Sequence, residues 1–92
     1  MENTNVMVGA YTAYSTDISP EAKKVFQEAT KGLVGVKYTP LAVSTQVVSG
    51  VNYRFFCNAR DVYPGALNEA ALVEIYQPLK DNPTIRSIKR CE

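Results

Sequence analysis

Residues 46–59 read QVVSGVNYRFFCNA, and the fold turns on how they are read. From Val51 onward the run alternates: Val51, Tyr53, Phe55, Cys57 and Ala59 share one face, and Asn52, Arg54, Phe56 and Asn58 share the other. Period-two patterning of this kind marks a half-buried strand. The preceding run, Val36 to Val48, is also strand-like, with Leu41, Val43, Thr45 and Val47 assigned to one face. Ser49-Gly50 between them reads as the turn of a hairpin, since glycine takes the positive φ that tight turns need. A hairpin requires only that turn. The flanking Gln46, Val47 and Val48 therefore present apolar, β-branched groups at a tip where folding alone asks for polar ones.

Working outward, Ala71 to Gln77 and Thr84 to Arg90 give two further strands, with Pro64-Gly65 and Asp81-Asn82-Pro83 as breakers. Upstream, Val6 to Tyr14 reads as a short first strand rich in Val and Tyr. The segment Asp17-Ile18-Ser19-Pro20-Glu21 starts a helix: Ser19 caps, Pro20 suits the first helical position, and Glu21 complements the positive helix end. Ala22, Val25, Phe26, Ala29 and Leu33 then fall on one stripe, and Gly32 marks the stop, for a helix of about 13 residues. The expected fold is α+β: an antiparallel sheet of four to five strands wrapped on one α-helix, in the order strand-helix-strand-strand-strand-strand, because a helix on one sheet face buries both apolar surfaces.

Composition bounds the function. The chain has 92 residues, 46% of them hydrophobic, and a net charge of +1 from ten basic and nine acidic residues. That suits one domain over residues 1–92, with no field to recruit nucleic acid or an anionic membrane. No apolar run approaches the roughly 18–20 residues of a membrane span. MENTNVMVGA, residues 1–10, has neither a basic start nor an apolar stretch, so it does not read as a signal peptide. The expectation is a cytoplasmic protein, or a secreted one if a leader has been removed. There is no His, and the two Cys, Cys57 and Cys91, fit no metal spacing. No metal or cofactor is expected. An enzyme is not expected either: general acid–base work would proceed without His, and a Cys nucleophile would have no His partner.

In an antiparallel meander alternate turns lie on the same edge. The turn after Val48 and the turn near Pro78 therefore share an edge, and the start of the first strand, near Gly9, joins them. Three distant segments converge there: Met7-Val8-Gly9, Gln46 to Gly50, and Gln77-Pro78-Leu79. Together they make a narrow apolar ridge, and exposed apolar ridges usually meet a partner.

These residues carry a family resemblance. QVVSGVNYRF resembles the first inhibitory hairpin of cystatins, Gln-x-Val-x-Gly followed by a strand opening on Asn-Tyr. MVGAYTAYS is similar to the cystatin segment in which two apolar residues precede a key glycine, with Gly9 in that place. Pro78-Leu79 falls where the family commonly carries Pro-Trp in a second hairpin. The match spans nearly the whole chain and looks most like the stefin branch. It implies a reversible, non-covalent, competitive inhibitor of papain-like cysteine proteases, whose wedge is made of Met7, Val8, Gly9, Gln46, Val47, Val48, Ser49, Gly50, Pro78 and Leu79. Ser49 stands where alanine is common, Ala10 replaces a second glycine, and Leu79 replaces an aromatic contact residue. The alternative is a cystatin-fold binding module without inhibitory activity, since folds host unrelated functions. The chain is expected to be a monomer, with a hairpin-swapped dimer as the other possibility. Cys57 and Cys91, separated by an intervening strand, are expected as free thiols. Glu69 and Glu74 read as solvated surface, and Arg86, Lys89 and Arg90 as protection of an edge strand.

Overall fold

Ser19 starts the helix as its sequence implies. Its Oγ accepts the Ala22 N–H at 3.1 Å, and Pro20 occupies the first turn. A computed structural model describes residues 9–91 of the chain, with α1 over Pro20–Thr30. The helix stops short of Gly32: Thr30 turns its hydroxyl onto the Phe26 carbonyl at 2.8 Å, and Leu33 donates to the Thr30 carbonyl at 3.0 Å in a tighter turn. Leu33 thus lies beyond the helix and is exposed rather than on its buried stripe.

Four strands follow, β1 (Val36–Val48), β2 (Gly50–Asp61), β3 (Asn68–Gln77) and β4 (Thr84–Cys91), paired antiparallel in the order β1-β2-β3-β4. The fold is α+β, and the helix precedes every regular strand among the described residues. The expected first strand, Val6 to Tyr14, is corrected: residues 1–8 lie outside the described part, and residues 9–14 form no regular strand. That segment runs antiparallel to β1 but makes a single bridge, Ser15 to Val43. The reason is a misfit of one residue together with competing hydroxyls. Ser15 exchanges backbone bonds with Val43, and Thr12 donates to the Thr45 carbonyl at 2.9 Å, so three steps on one side span two on the other. Thr45 N–H then goes to Thr12 Oγ1 (3.1 Å), and Ser44 Oγ donates to the Thr12 carbonyl (2.5 Å), replacing ladder bonds.

The core lies between α1 and one face of the sheet. Ala22, Val25 and Phe26 pack with Val43, Tyr53, Phe55, Cys57, Val73 and Ile75. Phe55 is fully buried, edge-on to Phe26 at 4.9 Å between ring centres and stacked on Tyr53 at 5.5 Å. Two irregularities keep the faces in phase. Pro40 pairs with Cys57 and Ala42 with Phe56, leaving Leu41 unpaired and exposed, so both Tyr38 and Val43 point inward. The expectation that Leu41 shares the Val43 face fails for this reason. On β4, Glu74 pairs with Ser87 and Ile75 with Ile85, which bulges Arg86 out of the free edge and keeps Ile85 and Ile88 facing the core. Arg90 is less a bare edge charge than expected: it bridges Glu69 at 2.5 Å and Asp61 at 3.3 Å, so Glu69 is ion-paired.

Both cysteines are free, Cys57 buried on β2 and Cys91 exposed on β4, with β3 between them. Burial pushes the Cys57 thiol up to about 12, with Cys91 adding to the rise, so it carries no reactive thiolate at neutral pH. Alkylation of the native, unreduced protein should label Cys91 alone, and denaturation should add Cys57, as read by intact mass. Absence of label in denaturant without reductant would overturn the thiol assignment.

Candidate functional site: an apolar ridge at one end of the sheet

The ridge is built at the end of the sheet where β1 turns into β2 and β3 gives way to the loop before β4. Val47 pairs with Val51 and Val48 with Gly50, so Ser49 alone lies at the tip. The tip is exposed: Val47 retains 69% of its accessible surface and Val48 41%. Val48 falls on the parity of Ser44, the sheet face away from α1. Val47 lies on the parity of Val43 but beyond the core. Leu79, in the loop following β3, is 76% exposed, beside a half-buried Pro78.

Each element is pinned to the next. Gly50, at φ +102°, fits against the end of β3: an added Cβ would be driven onto the Gln77 carbonyl oxygen and would lie 3.2 Å from Pro78 Cα. Tyr76 donates its hydroxyl to the Ser49 carbonyl at 2.5 Å, tying the hairpin tip to β3. Gln77 Nε2 donates to the Pro78 and Asp81 carbonyls, both at 2.8 Å, and so closes the loop that displays Leu79. Gln46 Nε2 donates to the Gly9 carbonyl, and its Oε1 accepts from Asn52 Nδ2 at 2.7 Å. One amide thus joins the N-terminal segment, β1 and β2.

The structure therefore brings together Gly9, Gln46, Val47, Val48, Ser49, Gly50, Pro78 and Leu79. Met7 and Val8, the remaining members of the expected set, lie outside the described residues. Within the set the roles divide. Val47, Val48 and Leu79 offer apolar area, whereas Gln46 and Gly50 are engaged internally and shape the ridge from behind. Tyr76, Asn52 and Gln77 also hold the ridge, and the sequence reading did not single out Tyr76 and Asn52. The signal for Asn52 was present: a hairpin centred on Ser49 places it opposite Gln46. Tyr76 offers no comparable signal, because its partner is a backbone carbonyl.

No residue of the ridge is charged; Lys80 and Asp81 are the nearest charges along the chain. Ser49 is its sole hydroxyl, and the chain holds no His to activate it. What the ridge offers is apolar contact area, from Val47, Val48 and Leu79. Comparison of the sequence with protein-family models and with curated proteins returns no match.

Proposed function

We propose that the ridge is the contact surface of a reversible, non-covalent, competitive inhibitor of papain-like cysteine proteases, of the cystatin type and most like the stefin branch. The observation that carries this reading is the meeting of three sequence-distant segments at one end of the sheet, with Val47, Val48 and Leu79 left in water. An apolar tip at the end of a sheet suits a cleft, and desolvated apolar contact is what interface centres use. The internal bonds from Gln46, Tyr76 and Gln77 fix the backbone beforehand, so little binding energy is lost to ordering. Leu79 supplies less area than an aromatic residue would, which weakens the second loop's share and narrows the range of targets.

The test is inhibition of a small panel of papain-like proteases, with competition against substrate. Inhibition should be competitive, and binding should persist when the protease's catalytic cysteine carries a small cap, because an interface of about 1,600 Å² holds without covalent help. The inhibitor should be recovered uncleaved. Inactivity across the panel would favour a non-inhibitory binding module, and cleavage at Gly9 or Gly50 in step with lost activity would mean a substrate-like trap.

A further inference from the structure

On the sheet face away from α1, the cross-strand register aligns one polar residue from each strand: Ser44 opposite Arg54, Arg54 opposite Glu74, and Glu74 opposite Ser87. Three of the four are joined side chain to side chain. Ser87 Oγ donates to Glu74 Oε1 at 2.9 Å, and Arg54 Nε donates to Glu74 Oε2 at 3.0 Å. Ser44, almost completely buried, donates to the Thr12 carbonyl. The far end of the row grips the N-terminal segment a second time: the Arg54 guanidinium lies over the Tyr11 ring, 3.7 Å from its centre. Tyr11 is two residues from Gly9, whose carbonyl meets Gln46 at the ridge.

Arg54 is thus held on one side by a carboxylate and on the other by an aromatic face. Its fork cannot follow Tyr11 away from the sheet without breaking the bond to Glu74. Glu74 in turn is fixed as an anion: the Ser87 hydroxyl, then Arg54, hold its carboxyl below the usual range against a partial penalty from burial. The sequence reading of Glu74 as free surface is replaced by this role. A cation over an aromatic ring that is also bonded to an oriented carboxylate is a geometric stop, more than a loose surface pair.

We propose that Arg54 is a positioning residue for the N-terminal segment: through Tyr11 it fixes where Gly9 lies beside the hairpin tip, without itself touching the protease. The proposal rests on the inhibitor reading for its functional arm, but its structural arm needs no protease. Arg54→Met keeps the aliphatic stem and removes the fork. In the free protein, the Gly9 and Ala10 amides should lose order in this variant, read as a fall in their heteronuclear NOE. Tyr11→Ala should do the same, and Tyr11→Phe, which keeps the ring face, should not. The melting temperature of Arg54→Met should stay within about 5 °C, because a half-exposed ion pair adds little stability.

Against a protease that the wild type inhibits, Arg54→Met should weaken inhibition roughly three- to tenfold, the size expected for loss of a cation–π contact. In a Gly9→Glu background, where strain at φ +84° and the added carboxylate should already take the segment out of the contact, Arg54→Met should add nothing. Equal losses with and without Gly9→Glu, or unchanged order at Gly9 in Arg54→Met, would overturn the positioning role. If the wild type inhibits no protease in the panel, the inhibitor reading fails and the amide measurements still decide the role of Arg54.

Discussion

Alanine at Gly50 should lower the free energy of unfolding by roughly 2–5 kcal/mol, a large share of the roughly 5–14 kcal/mol typical of a domain this size. Two penalties combine. At φ +102° any L side chain is strained, and the new Cβ meets the Gln77 carbonyl and Pro78 Cα of the backbone as well as the Tyr76 ring. Backbone cannot swing aside as a long side chain does, so either the hairpin tip or the end of β3 must shift. Gly65 supplies the control. It also has positive φ, at +82°, but its Cβ would meet nothing within 4 Å. Gly65→Ala should cost only about 1–2 kcal/mol, the conformational part alone. Urea titrations of the two variants separate collision from strain. Equal costs would mean that β2 does not approach Gln77 as closely as described. Because Gln77 and Pro78 carry the loop that bears Leu79, Gly50→Ala should also disturb both halves of the ridge at once.

Val47→Asp should weaken inhibition by two to three orders of magnitude, about 3–4 kcal/mol, with little change in folding stability. In the free protein Val47 is 69% exposed and pairs only with Val51, so a carboxylate there stays hydrated. Replacing a β-branched residue in a strand costs about 1 kcal/mol at most. In the proposed complex the same carboxylate would be stripped of water in an apolar cleft with no cation of the ridge to meet it, which costs several kcal/mol. The loss should appear mainly as faster dissociation. Val62, 66% exposed in the loop between β2 and β3 at the opposite end of the sheet, is the matched control. Val62→Asp should leave inhibition intact. An unimpaired Val47→Asp would remove the hairpin tip from the contact, and equal losses at both sites would point to a general effect of charge.

What could be read from the chain depended on whether a residue's partner was nearby in sequence. Ser19 and Pro20 act within one helical turn, and the helix start is where they put it. Alternation from Val51 to Ala59 is local too, and the inward residues are those it indicated. The pairing of β1 with β2 follows from the Ser49-Gly50 turn, and the shared end of the two hairpins follows from counting turns. Apart from the helix end, which Thr30 and Leu33 set locally, the misreadings involve partners supplied by the fold. Thr12 looked like an ordinary strand residue until Ser44 and Thr45, more than thirty positions away, claimed its carbonyl and hydroxyl. The unpaired Leu41 that restores phase after Pro40 appears only once β2 lies alongside. Glu74 has no charged neighbour in sequence; its partners, Arg54 and Ser87, come from the strands on either side.

The strand order β1-β2-β3-β4 means that every paired strand is also the next strand in the chain. Each pairing therefore closes only a short loop: Ser49, then residues 62–67, then residues 78–83. Loop closure is the entropic toll that slows β proteins, and here it is low at each step, so the sheet can grow by zipping from one hairpin to the next. The shortest closure is at Ser49, which makes the β1–β2 turn the natural nucleus. The apolar tip left in water in the finished molecule is then the point from which the chain would first organise itself. Substitutions at the tip should therefore be felt in refolding rates as well as in the proposed inhibition, because one turn serves both the speed of assembly and the surface on display.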